Sequence, residues 1–145
     1  MTNPASNGWI LRCDGGSRGN PGPGAFAYVL TAPNGDEVEA RSEYLGTVTN
    51  NVAEYRALLA GLDAAGRHAA SPLVVCMDSE LVIRQMTGQY RVKNAGLKPL
   101  HLAAREAARK VGAIRWVSVP REENARPDRL LNDTLDGILG SESPR

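Results

Sequence analysis

Short apolar runs broken by glycine and proline occupy the first third of the chain, and stretches with apolar residues three and four apart occupy much of the rest. Residues 8–13 and 24–32 are two such runs on either side of a turn rich in glycine and proline, and Asn34-Gly35 is a strong hairpin signal. Residues 37–48 return with loosely alternating polarity, so three antiparallel strands in a meander are expected. From Asn51 the period changes: Val52, Tyr55, Leu58, Leu59 and Leu62 recur at helical spacing, with alanines between them, which predicts an amphipathic helix. Pro72 to Met77 is continuously apolar and β-branched, as suits a strand covered on both faces, and it stops at Asp78-Ser79. A short helix over 79–87, a loop over 88–98, a helix led by Pro99 and ending at Val111, a strand over 113–119 containing Trp116, and a last helix from about Asn124 complete the pattern. The expected fold is α/β: a five-stranded mixed sheet, three antiparallel strands and then two parallel ones, flanked by helices.

With 145 residues the chain fits one domain, 1–145, large enough to bury a core over about residues 8–139. The polar ends, Met1 to Asn7 and Gly140 to Arg145, are expected to fray. No apolar stretch approaches the roughly 18 to 20 residues of a membrane span, and no signal segment opens the chain, so a soluble, cytoplasmic protein is expected. A monomer is expected too. Cys13 and Cys76 have neither zinc-knuckle nor redox-pair spacing and read as buried free thiols of a reducing compartment. The formal net charge of +1 does not imply a strongly basic nucleic-acid-binding surface, so attraction to a polyanion must be local or supplied by metal ions.

Candidate chemistry centres on Asp14, where the first apolar run ends and Gly15, Gly16, Gly19, Gly22 and Gly24 follow, stiffened by Pro21 and Pro23. A strand that delivers a carboxylate to its end, beside backbone slim enough to admit a ligand, suits a site on a rigid element. A tight turn capped by an aspartate is the plainer alternative. A phosphate-cradling loop fits poorly, because no Gly-Lys-Ser/Thr follows and residues 25–30 read as a strand where a dinucleotide site needs a helix. Three more acids stand in comparable settings. Glu54 lies in the first turns of the long helix, where it could equally be a capping-box residue reaching back to Asn51. Asp78 ends the buried parallel strand, where open α/β sheets place ligands. Asp128 shares its helix face with Leu131, Leu135 and Ile138, unless it is a rim acid paired with Arg126 or Arg129.

Two strand ends and two helix starts at one sheet edge would bring all four acids into a single crevice. Like charges at close range raise each other's pKa, and hard divalent cations relieve that repulsion. A donor set of carboxylates without Cys or His favours Mg²⁺ or Mn²⁺ over zinc. Two such ions about 3.5 to 4 Å apart would clamp an in-line displacement at phosphorus, so phosphodiester hydrolysis is the expected chemistry.

Asp14-Gly-Gly-Ser-Arg-Gly-Asn-Pro-Gly-Pro-Gly24, Thr49-Asn-Asn-Val-Ala-Glu54, Asp78-Ser79, and Asn124 followed by Asp128-Arg-Leu-Leu-Asn132 together resemble type 1 ribonuclease H over nearly the whole chain. The resemblance implies the ribonuclease H-like fold and cleavage of the RNA strand of an RNA/DNA hybrid, leaving 3′-hydroxyl and 5′-phosphate ends. Asp14, Glu54, Asp78 and Asp128 would hold two Mg²⁺ ions, with Mn²⁺ able to substitute. Asn20, Asn50 and Asn51 match positions that contact the hybrid in its minor groove, Thr49 matches one near a DNA-strand phosphate, and Gly15 counts among the substrate-binding positions. Minor-groove and 2′-hydroxyl contacts distinguish RNA from DNA without reading sequence. The loop before the last helix carries no histidine, unlike the best-known bacterial pattern. Arg121 takes that place, as in an archaeal-like branch, some of whose members also cut double-stranded RNA. Arginine is no base at neutral pH, so holding phosphate or assisting product release is its expected role. The basic protrusion of some relatives is shortened to about Gln89 to Lys98, where Arg91, Lys93 and Lys98 surround Tyr90, and no hybrid-binding domain is expected before the core. Weaker, more salt-sensitive and less processive binding is therefore expected. The alternatives are a non-catalytic hybrid-binding module and another nuclease of the same superfold.

Overall fold

The computed structural model describes residues 8–140; of the ends expected to fray, 1–7 and 141–145 lie outside the described residues, while Gly140 is the last residue of a helix. Strands β1 (Trp9–Ser17), β2 (Gly22–Thr31) and β3 (Glu37–Val48) form the expected antiparallel meander, closed at its second turn by Asn34-Gly35. Helix α1 (Asn50–Arg67) leads to β4 (Leu73–Met77), which pairs parallel to β1, and the short α2 (Glu80–Met86) follows. Then come α3 (Lys98–Val111), β5 (Ile114–Ser118) parallel to β4, a 3₁₀ turn (Arg121–Asn124) and α4 (Ala125–Gly140). The sheet order is β3-β2-β1-β4-β5, which matches the expected fold.

Two faces of the sheet are covered differently. Leu11 and Cys13 on β1, Phe26, Tyr28 and Leu30 on β2, and Leu73, Val75 and Met77 on β4 alternate onto one face, where Tyr55, Leu58 and Leu62 of α1 bury them. α3 packs behind α1 with the fully buried Ala104. On the other face Leu131 and Leu135 of α4 close over Ala25 and Ala27, whose small side chains let the helix lie close to the sheet. Every residue of β4 is buried, as its unbroken apolar run requires. Both cysteines are buried free thiols; they point to opposite faces and belong to separate apolar clusters.

At the end of α1, Glu39 of β3 ties sheet to helix. Its carboxylate accepts from the Tyr28 hydroxyl, from Arg67 through Nη1 and Nη2 at 3.0 and 2.8 Å, and lies 3.0 Å from His68 Nε2. The Arg67 guanidinium, aided by Tyr28, holds the Glu39 carboxyl down at about 2. A carboxyl whose pKa is lower in the folded state contributes stability above its unfolded value, and that stability is lost as pH falls from about 4.5 to about 2. Glu39→Gln is thus expected to lower the thermal midpoint by a few degrees at pH 7 and to flatten its fall across that acid window. Thermal melts of both proteins from pH 7 to pH 2 check this.

Candidate active site

β1 extends beyond its apolar run. It pairs with β4 only as far as Arg12↔Cys76 but with β2 out to Ser17↔Gly24, so Asp14 lies inside the strand and not at its end. The expectation of a turn directly after Asp14 is corrected: Gly15, Gly16 and Ser17 stay extended against Gly24 to Phe26, and the turn comes after Ser17. Two residues past the last parallel rung, Asp14 on β1 and Asp78 just after β4 reach the same edge of the sheet. That edge is open because β4 ends at Met77 and the chain turns into α2, capped by Ser79, whose Oγ accepts from the Val82 amide.

α1 supplies the third carboxylate. Thr49 caps the helix by accepting from the Val52 amide at 3.2 Å, so the alternative reading of Glu54, a capping box with Asn51, is not what forms. Glu54 points to the sheet instead, where its Oε1 accepts from the Gly15 amide at 2.9 Å. Gly15 allows this approach, for a Cβ there would lie 2.2 Å from the Ala53 carbonyl. Asp14, Glu54 and Asp78 each offer a carboxylate oxygen, all within 4.8 Å of one another.

Asp128 in the first turn of α4 stands outside that group but is within hydrogen-bonding reach of Asp14, and it lines the same cleft of about 310 Å³, as does Arg121. Its rim-pair alternative is not what the structure shows. Arg126 pairs with Glu37 at 3.0 Å, while Asp128 Oδ1 accepts from Asn132 Nδ2 at 3.2 Å. The fully buried Asn124 anchors this region, its Nδ2 donating to the Cys13 carbonyl at 2.7 Å, one residue before Asp14. Larger hollows border α3, among them one of about 600 Å³ lined by Met86, Leu102 and Trp116, but no acids converge there.

The cleft's electrostatics show what it is suited to hold. Burial, then the charges of Glu54, Asp78 and Asp128, push the Asp14 carboxyl up to about 9. Burial and Asp78 push Glu54 up to about 8, against the Gly15 amide and the Arg121 guanidinium, which favour its ionised form. Asp78 Oδ1 is buried with no hydrogen-bond partner. An unpartnered buried carboxylate oxygen beside two acids driven towards protonation fits a divalent cation, which would supply the charge the protein withholds. The all-oxygen donor set fits Mg²⁺ or Mn²⁺.

The expected substrate contacts divide. Gly15 and Asn50 line the cleft, and Asn50 Oδ1 accepts from the Ser17 amide at 2.8 Å. Asn20 lies beside it, its Oδ1 accepting from the Asn50 amide at 3.0 Å. Thr49 is engaged as the cap, and Asn51 is half-buried in the first turn of α1; neither lines the cleft. Both histidines lie away from the acids, His68 with Glu39 and His101 against the Gln85 carbonyl. Ser17, Arg18 and Asn132 line the cleft without having been assigned a role from the sequence. The signal for Asn132 was present, since Asp128, Asn132 and Asp136 recur every four residues along α4.

A mixed sheet with three antiparallel and two parallel strands, helices on both faces and a carboxylate cleft at the β1–β4 edge defines a ribonuclease H-like protein. Residues 12–133 match the reverse transcriptase-like family. "Bifunctional protein Rv2228c" of Mycobacterium tuberculosis is 44% identical over 133 residues, which cover 91% of this chain and 36% of that protein. "Ribonuclease HI" of Halobacterium salinarum is 39% identical over 123 residues, covering 85% of this chain and 62% of that one. Among solved structures, LC11-RNase H1 in complex with an RNA/DNA hybrid superposes with a TM-score of 0.85 at 39% identity, covering 90% of this chain and 99% of that one. The chain therefore belongs to the type 1 ribonuclease H family. It spans about a third of the length of the mycobacterial relatives it matches.

Proposed function

We propose that this protein is a divalent-metal-dependent endoribonuclease that hydrolyses the RNA strand of RNA/DNA hybrids, leaving 5′-phosphate and 3′-hydroxyl ends. The observation that carries the reading is the convergence of Asp14, Glu54 and Asp78 within 4.8 Å, with one Asp78 oxygen buried and unpartnered. These three acids, with Asp128 from the cleft wall, would hold two Mg²⁺ or Mn²⁺ ions. Ions held by these residues would supply Lewis acidity at the scissile phosphate and would lower the pKa of bound water. The protein's own part is to hold the carboxylates on rigid elements. Asp14 is fixed within the β1–β2 ladder, and Glu54 is oriented by the Gly15 amide. Asn50 and Asn20, linked to each other beside the cleft, present polar groups suited to a minor groove, as the RNA/DNA complex of LC11-RNase H1 supports by likeness.

Arg121 lies on the cleft wall close enough to Glu54 to favour its ionised form, and its permanent charge suits a phosphate. Arg121→Ala is expected to slow hybrid cleavage on the order of tenfold, less than loss of any of the four acids, which single-turnover assays would measure. A loss as severe as that of Asp14→Asn would give Arg121 a different role.

The substrate class is tested by offering end-labelled RNA paired with DNA, paired with RNA, and single-stranded. Cutting of the hybrid with ligatable 5′-phosphate products is expected. Additional cutting of RNA/RNA would widen the substrate class, and hybrid binding without cutting would favour a non-catalytic binding module.

A further inference from the structure

On α4, Asp128, Asn132 and Asp136 stand at four-residue intervals and so form a row along one side of the helix. Arg18, from the loop between β1 and β2, reaches this row. Its Nη2 lies 2.6 Å from Asp136 Oδ1 and donates to Asn132 Oδ1 at 3.2 Å. A guanidinium only donates, so the Asn132 carbonyl oxygen must face it, and the amide nitrogen is then turned towards Asp128. There Nδ2 donates to Asp128 Oδ1 at 3.2 Å and to the Asp128 backbone carbonyl at 2.9 Å. One amide orientation satisfies all of these contacts.

We infer that Asn132 is a positioning residue, oriented by Arg18, that fixes the Asp128 carboxylate and couples the Arg18–Asn20 loop to that acid. The inference rests on the nuclease reading and deepens it. Glu54 is aimed by a backbone amide, whereas Asp128 takes its hydrogen bond from a side chain that is itself held in place. The Arg18–Asp136 pair is exposed, with side chains 39% and 65% accessible, so it adds little stability, and its consequence is orientation. Because Asn20 belongs to the same loop and bonds to the Asn50 amide, nucleic acid seated there would bear on the loop that orients Asn132.

The test measures Mn²⁺ binding to metal-free protein by electron paramagnetic resonance, together with kcat and KM on a uniform hybrid. Wild type, Asn132→Ala, Arg18→Ala, the double variant and Asp78→Asn are compared. Asn132→Ala is expected to weaken Mn²⁺ binding and to lower kcat about tenfold, the range for a residue that supports a metal ligand, with KM and the thermal midpoint nearly unchanged. Arg18→Ala should give a smaller loss in the same direction, and the double variant should be no worse than Asn132→Ala, because the two residues act in series. Wild-type Mn²⁺ binding and kcat in Asn132→Ala, or fully additive losses in the double variant, would overturn the inference. Should Asn132→Ala fail to fold, Arg18→Ala at an exposed loop position decides alone, and unchanged Mn²⁺ binding there overturns it. Wild-type protein that takes up no Mn²⁺, or takes it up as Asp78→Asn does, would instead overturn the nuclease reading.

Discussion

Asp78→Asn is expected to abolish hybrid cleavage while raising the thermal midpoint of the metal-free protein. The activity loss should exceed the roughly 10- to 100-fold typical of a residue that only supports a metal ligand, because Asp78 is placed as a ligand itself. The stability gain follows from the like charges. Asp78 raises the pKa of both Asp14 and Glu54, so either can ionise only against the repulsion of the Asp78 carboxylate, and one of the Asp78 oxygens is buried without a partner. An amide of the same size removes the repulsion and can donate to the remaining carboxylates, as happens where a site trades stability for function. Hybrid cleavage with thermal melts in chelator checks both halves. A variant that is inactive because it melts lower would show that Asp78 is structural, and near-normal activity would remove it from the site.

Gly15→Ala is expected to cost about 3 kcal/mol, the upper end for overpacking, and to lower the midpoint by roughly 10 °C in a chain of this length. The added Cβ would lie 2.2 Å from the carbonyl carbon and oxygen of Ala53 and 2.5 Å from the Glu54 amide nitrogen, all of them backbone atoms. No side chain can rotate away to make room, so α1 must shift from β1. That shift would also break the Gly15–Glu54 hydrogen bond, and activity should fall further than the unfolded fraction explains. Comparing kcat at a temperature where both proteins are fully folded isolates this second effect. Wild-type kcat there would show that the 2.9 Å contact does not aim Glu54.

The elements that were legible in the sequence are those whose burial is written in a single period. β4 is an unbroken apolar run and proved buried along its whole length. α1 carries its buried residues at helical spacing, and Leu131 and Leu135 mark the inner face of α4. Element ends were less legible. β1 outruns its apolar residues because glycines can keep pairing with β2 after β4 has stopped, a property of the partner strands and not of the local sequence. The cap of α1 fell on Thr49, and Glu54 was free to turn to the Gly15 amide, 39 residues away in sequence. The same limit hid Arg18 and Asn132, 114 positions apart, whose meeting depends on how α4 crosses the sheet. The four acids could be singled out because each ends an apolar run or stands in the opening turns of a helix, although only three of them form the tight group.

Metal-dependent hydrolysis at the Asp14–Glu54–Asp78 cleft is best tested by incubating end-labelled RNA/DNA hybrid with metal-free protein, with Mg²⁺, with Mg²⁺ followed by excess chelator, and with Asp78→Asn in Mg²⁺. Cleavage of the RNA strand is expected in the Mg²⁺ sample alone, arrested on chelation and absent in the variant. Cleavage that persists in chelator, or that survives in Asp78→Asn, would contradict it.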